Sequence, residues 1–375
     1  MRPTSDTPAD RAPAPDAPTG SGHWTAVHLF HQGDLDALLL DAVAPALDRL
    51  ARTGDISGHF FLRYWEGGPH LRVRIRSAAP LGDADRGPAS ELIGQWNDWL
   101  ARHPSPRAVD EEAYRRFADA AARREHMPGY EPWHGLHDRA QLRAYRPEHD
   151  RYGTGASLAA VERHFTEASD CARTLLAGRL SPAQRLSAGF AVLLLTWAVI
   201  QPDAHRRRDA LRAGARAWSR MLGPEYDTEG FDRAYERSRA ALTHRAEQLL
   251  ATDAPEPYAY ETPDPSEAPE PPGTTAPSSG ASGPLAAWHR SVARLHATLG
   301  TLERTGAFAP DLDALRDDPA SLALPAPRTA LTVNRCAHLM CNRLGLYGPQ
   351  EAMLRHFAAR AAADLNAAPT GDPRP

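Results

Sequence analysis

The sequence predicts an α+β fold: a small, mostly antiparallel sheet near the N-terminus with a large helical remainder. Three observations carry that reading. Residues 58–77, GHFFLRYWEGGPHLRVRIRS, hold two β-rich runs around Gly67-Gly68, which is a hairpin pattern. Residues 24–31, WTAVHLFH, alternate as a first strand. Beyond about residue 90, apolar residues recur at three-to-four spacing, the period of helices that bury one face.

In chain order, residues 1–22 are rich in Pro, Ala, Thr and Ser and have no apolar core. That predicts a disordered arm and excludes a signal peptide. Residues 33–52 predict an amphipathic helix, with Asp34 as N-cap and Pro45 as a point of bending or splitting. After the hairpin, helices are expected over 89–103, 110–125, 156–177, 181–200, 203–221 and 228–251, with an extended stretch at 137–153. Residues 252–284 contain nine prolines, six acids and no basic residue, which predicts a solvated, disordered insertion. Helices at 285–305 and 328–363 follow, and 366–375 should fray. The expectation is one domain over 23–365, interrupted by that insertion.

Composition narrows the chemistry. The 375 residues carry a net charge of −4 and are 42% hydrophobic, a globular balance with no general field for nucleic acid. All 43 basic residues are arginine, which excludes Schiff-base catalysis, pyridoxal phosphate held on a lysine and a Walker A loop. Cys171, Cys336 and Cys341 are too few and too irregular for a disulfide framework or a structural zinc site. No metal or cofactor is expected. The longest apolar run, 188–200, is too short to span a bilayer and ends at Gln201-Pro202, so it reads as a buried helix of a soluble, cytoplasmic protein.

Three clusters could carry chemistry. In GGPHLRVRIR (67–76), His70, Arg72, Arg74 and Arg76 occupy alternate positions, so they share one face of the strand while Leu71, Val73 and Ile75 face a core. Such a comb, with Arg63 and Tyr64 on the neighbouring strand, suits a carboxylate or phosphate. The plainer reading is a solvated strand face. In AYRPEHDRYGTG (144–155), Glu148 and Arg151 sit three apart between Pro147 and Gly153, an arrangement that could position a substrate or form only a local ion pair. In TVNRCAHLMCNRLGL (332–346), Asn334, His338 and Asn342 share a helical stripe, and a histidine among amides is a reasonable proton carrier. HMPGYEPWHGLHD (126–138) has three histidines but no acid at ligand spacing, a weak metal signal.

Together, W…HLF…FFLRYWEGGPHLRVRIR, YRPEHDRYG and HLMCNRLG resemble, in order and spacing, the glutamate-elimination domain at the C-terminus of class I lanthipeptide dehydratases. That domain also occurs as a stand-alone thiopeptide-type bacteriocin biosynthesis protein. The resemblance runs from about residue 24 to 358. It implies a lyase that removes glutamate from glutamylated Ser or Thr of a precursor peptide, leaving dehydroalanine or dehydrobutyrine. The family's essential residues fall on Arg72, Arg74, Glu148, Arg151 and His338, with His70, Arg63 and Asn342 as substrate-binding candidates. The chain departs from the pattern at Thr154, where a second glycine is expected, and at the 252–284 insertion. The implied partners are a precursor peptide of leader plus core and a separate tRNA-dependent glutamylating subunit. Direct nucleic-acid binding and membrane insertion are not expected, and a homodimer is compatible with the reading.

Two alternatives stay open. One is a stand-alone pyridine synthase of thiopeptide pathways, which performs a formal [4+2] cycloaddition. The other is a non-catalytic precursor-binding subunit that takes a leader peptide as an added strand on the sheet's edge.

Overall fold

The computed structural model describes residues 22–82, 87–106, 110–124, 127, 129–133, 138–222, 228–251, 283–310 and 319–367. The expected N-terminal arm, the insertion up to residue 282 and the tail from 368 lie outside the described residues.

Four strands form one antiparallel sheet: β1 (His23–Phe30), β2 (Gly58–Tyr64), β3 (His70–Ser77) and β4 (Arg139–Arg143), in the order β2-β3-β1-β4. Gly67 and Gly68 turn the β2-β3 hairpin with φ of 76° and 130°, values that side chains with a Cβ rarely adopt. β4 takes only the first third of the stretch expected to be extended. Pro147 then ends the run, and His149–Tyr152 forms a single helical turn.

Val27, Leu29, Phe61, Leu71, Val73 and Ile75 point from one face of the sheet into the core. The segment after β1 lies against them. Asp34 caps α1 (Leu35–Ala37) by accepting the Asp36 and Ala37 amides, and the chain continues through a π-helical stretch, Leu38–Val43, into α2 (Ala44–Thr53). That wider stretch immediately precedes Pro45. It shifts the hydrogen-bond register and makes room for a ring that has no N–H, so the chain stays helical through the point where bending or splitting was expected.

The remaining helices are α3 (Pro88–Arg102), α4 (Glu111–Arg124), α5 (His149–Tyr152), α6 (Ala156–Ala177), α7 (Pro182–Ile200), α8 (Ala204–Leu222), α9 (Thr228–Leu250), α10 (Pro284–Arg304), α11 (Pro319–Leu322), α12 (Pro327–Arg343) and α13 (Gly348–Ala367). By length and composition α7 could cross a membrane, because a Ser181 capping box starts the helix ahead of the apolar run. In the fold, Phe190–Leu195 and Trp197 are buried beneath α10, α12 and α13, which makes α7 the central core helix. The helix expected over 328–363 is two helices. Gly345, at φ 74°, lets the Leu346 amide turn back to the Cys341 carbonyl at 2.9 Å, a cap that an L side chain would strain.

Both outer strands have backbone groups bonded to side chains. On β2, Ser169 Oγ accepts the Phe61 amide at 3.1 Å, while Asn342 accepts the Arg63 amide at 3.0 Å and donates to the Arg63 carbonyl at 2.8 Å. On β4, Asn97 accepts the Ala140 amide at 2.8 Å. On β2 these bonds occupy backbone groups that strand addition, the mode considered for the non-catalytic alternative, would use, whereas on β4 the Ala140 amide is the group shown capped. Asn342→Ala strands a donor and an acceptor at a largely buried seam. Denaturant unfolding is expected to show a loss of about 1–3 kcal/mol; an unchanged midpoint would mean that the α12–β2 seam does not rely on this side chain.

Candidate active site

Register decides which side chains share the comb. Residues directly opposite one another in an antiparallel pair lie on the same face. Three rows therefore cross the sheet: Phe60, Arg74, Ala26 and Arg143; Leu62, Arg72, His28 and Gln141; Tyr64, His70, Phe30 and Arg139. The comb thus continues over β1 onto β4 and gains Arg139, Arg143 and His28. The signal was the period-two spacing Arg139-Gln141-Arg143, which is uninformative until its partner strand is known.

Arg72 is held in a fixed pose. Its Nη2 donates to Glu66 at 2.8 Å, its guanidinium carbon lies 3.4 Å from the Tyr64 ring centroid, and its Nε donates to His70 Nε2 at 3.2 Å. His70 Nδ1 in turn donates to the Gly68 carbonyl at 2.7 Å, a bond that fixes the tautomer and leaves Nε2 free to accept. His70 is fully buried, so it orients Arg72 and cannot touch a substrate as expected. Burial lowers its pKa to about 3 against the help of the Gly68 carbonyl, and the guanidiniums of Arg72, Arg74 and Arg143 add to the fall. The comb is therefore an arginine comb with a neutral histidine at its end. His28 stacks on His70 with ring centroids 4.9 Å apart and is likewise held neutral, by burial first and then by His70 and the arginines, to about 2.

Arg74 lacks the partners that hold Arg72. Its Nη1 is buried without a hydrogen-bond partner, and burial, then Arg72, lowers its pKa to about 10; Tyr145, Glu148 and Tyr64 oppose the fall. The guanidinium thus stays charged at neutral pH, with Glu148, from a segment far away in sequence, adding a weak favourable field. Glu162 closes this end of the face, accepting from Tyr145 Oη at 2.6 Å and Trp24 Nε1 at 3.0 Å. Burial raises its pKa, which both hydrogen bonds and Arg76 oppose.

Arg151 donates to Glu148 at 3.0 Å, and both side chains are about half exposed (45% and 51%), so the pair contributes little stability by itself. Thr154 costs the segment nothing. The left-handed conformations fall on Gly153 (φ 72°) and Gly155 (φ 57°), and a Cβ at Gly153 would meet Ser157 Oγ at 2.5 Å.

His338 occupies a different setting. Its Nδ1 bonds Glu351 at 2.7 Å, and Glu351 is fully buried and also takes two bonds from Arg355, at 2.8 and 3.0 Å. Burial would raise the Glu351 pKa, but His338 and Arg355 outweigh it and hold it at about 2. This buried carboxylate, absent from the sequence reading, fixes the ring and leaves Nε2 outward. No hydrogen bond joins His338 to Arg72 or Arg74 among the described residues. It sits one helical turn, about 6 Å along α12, from Asn342 on the β2 edge.

Two expected substrate contacts are corrected. Arg63 lies opposite Leu71, on the core face, where it bonds Asp36 and the Arg343 carbonyl. Asn342 is engaged with the Arg63 backbone, so both are structural. Among the described residues no group of three or more His, Cys, Asp or Glu is placed to hold a metal ion.

Comparison with known proteins places this architecture. The chain matches no curated protein. Among solved structures it is similar to the pyridine synthase TbtD from thiomuracin biosynthesis (TM-score 0.68, 21% identity, 91% of this chain and 98% of that one). It is also similar to TsrL (0.59, 18%, 92% and 95%). A third similarity is to the tRNA-dependent lantibiotic dehydratase MibB from Microbispora sp. 107891 (0.50, 20%, 95% of this chain and 29% of that one). The family model described as lantibiotic biosynthesis dehydratase C-term matches residues 24–362, nearly the whole described fold, and the chain belongs to that family.

Proposed function

We propose that the chain is a tailoring enzyme of ribosomal peptide natural products that eliminates glutamate from a glutamylated Ser or Thr on the comb face. The observation that carries this reading is Arg74: a largely buried guanidinium with a buried, unpartnered Nη1, beside a fixed Arg72 on the same sheet face. In β-elimination the Cα proton leaves, the Cα–Cβ double bond forms, and the Cβ–O bond breaks to release the glutamate carboxylate. Negative charge therefore develops at two oxygens, the enolate and the leaving group, and preorganised guanidiniums in a low-dielectric cleft stabilise both. Arg72 and Arg74 take these roles, Glu148 orients Arg151 and Arg74, and His338 carries a proton with Glu351 behind it. A precursor peptide and a separate glutamylating subunit complete the system.

A second reading, the stand-alone pyridine synthase, is favoured by one observation: the likeness to TbtD runs end to end, whereas MibB is matched over less than a third of its length. At these identities the likeness speaks for the fold, and it weights the comparisons toward cycloaddition, while the arginine set weights the residues toward elimination. Mass spectrometry separates the two. With the glutamylating partner present, the first reading expects glutamyl adducts to accumulate without this protein and to become single losses of water with it. Leader release with ring formation from already dehydrated peptide would replace the first reading by the second.

A further inference from the structure

The half of the comb face on β4 is not used by the elimination reading, and its construction points to a ligand. Arg139 and Arg143 project from the same face as Arg72 and Arg74, and their Nε atoms are buried with no hydrogen-bond partner. Arg143 Nη2 is shared between Glu131 at 3.1 Å and Gln141 at 2.9 Å, and the Arg139 guanidinium lies 5.7 Å from the Phe30 ring. Arg143 thus meets a carboxylate, while among the described residues Arg139 has an aromatic ring as its neighbour and no ion pair. Both arginines border an open concavity of about 550 Å³ that runs along the outer edge of β4 and is lined also by Ile93, Glu131, Ala140, Gln141 and Leu142. Between Arg74 and Arg143 stands only Ala26, the smallest side chain of β1, so nothing on the sheet separates the two halves in that row. The Ala140 amide on this edge is already taken by Asn97, so recognition here falls to side chains.

We propose that Arg139 and Arg143 form a second anion subsite that reads a carboxylate side chain of the substrate peptide near its reacting residue. The inference rests on the proposed function only in taking the reacting residue to lie over Arg72 and Arg74. Geometry sets the spacing. β3 and β4 are two strand separations apart, roughly 10 Å, and an extended peptide advances about 3.3 Å per residue. The acid therefore lies about three residues from the residue over Arg74. The preferred substrate is a peptide with two anionic groups at that spacing: the reacting one and an Asp or Glu.

Binding tests this without catalysis. The probes are fluorescein-labelled Gly-Ser peptides carrying two glutamates three residues apart, two adjacent glutamates, or one glutamate and one glutamine three apart. Wild type should bind the spaced pair about tenfold more tightly than the Glu/Gln peptide, as a charge-assisted bidentate contact implies. Arg139→Gln/Arg143→Gln should bind the two alike. The proposal is overturned if the double variant keeps the preference, or if adjacent glutamates bind wild type as tightly as spaced ones, which would be general charge attraction. If the double variant does not fold, the wild-type spacing series decides alone. Elimination could fail in its own assay with this preference intact, and the converse also holds, so the two readings fail separately.

Discussion

Arg74→Ala is expected to lower kcat/KM for glutamate elimination about 10²–10³-fold while leaving the melting temperature unchanged or raised. The first half follows from position: removing one preorganised donor that meets charge developing in the transition state typically costs two to three orders of magnitude. The second half follows from the same unpartnered Nη1. A buried guanidinium that lacks a full set of partners carries a desolvation cost in the folded state, so replacing it with a small apolar side chain relieves the fold. A structural arginine would do the reverse, losing stability together with activity. Arg74→Lys should recover only part of the rate, because an ammonium lacks the planar fork and resists burial more strongly. Steady-state kinetics on a glutamylated peptide, paired with thermal melts of the same variants, check both halves. A fall of less than tenfold would remove Arg74 from the chemistry, and a lost melting transition would make it a core residue.

The contrast between Arg74 and Arg63 shows what was legible. Both are arginines on adjacent strands of one hairpin, and both were expected at the site. Strand parity separates them: Arg74 falls opposite Phe60 and Arg63 opposite Leu71, so they face opposite sides of the sheet. The alternation within β3 was readable because period two is a local property. The hairpin's own register also depends on how many residues Gly67-Gly68 and their neighbours loop out, which the string alone does not fix. β4 was hidden for a related reason. Five residues with two arginines read as an extended surface segment until β1 supplies the hydrogen-bonding partner, and only then do Arg139 and Arg143 join the comb.

His338 illustrates a second limit. Its helix and its stripe were evident from spacing, but its partner Glu351 comes from the next helix, across a break at Gly345 that the apolar pattern runs straight through. An acid that is fully buried and bonded by both His338 and Arg355 looks in sequence like any helical glutamate. His70 failed in the opposite direction. Its chemistry suggested substrate contact, but its place beneath His28, Phe30 and Tyr64 makes it the support for Arg72 instead.

Acid should unfold the protein before its carboxylates titrate, with melting temperature falling steeply from about pH 6.5 to pH 4. Four histidines drive this. His59, His70 and His164 are 9%, 0% and 2% exposed and His28 is half-buried, and burial, reinforced by nearby guanidiniums, lowers their pKa values to about 4, 3, 3 and 2. In the unfolded chain each takes a proton below about pH 6.5, whereas in the folded chain each stays neutral down to its lowered value. The unfolded state thus binds more protons across this window, and stability falls as pH falls. Each group contributes about 1.4 kcal/mol per pH unit, so four give about 5–6 per unit, against a total of roughly 5–15 for a domain. Glu351 acts lower down: its pKa of about 2 makes a contribution that is complete above about pH 4.5 and is lost on the way to pH 2. His59→Gln removes one titrating group from the core-facing side of β2, away from the comb, and should reduce the slope by about a quarter. Melts of wild type and this variant between pH 8 and pH 4.5 supply the check. A wild-type melting temperature that stays level from pH 7 to pH 5 would mean that these imidazoles are hydrated in the native state, and with them the neutral His70 that holds Arg72 in place.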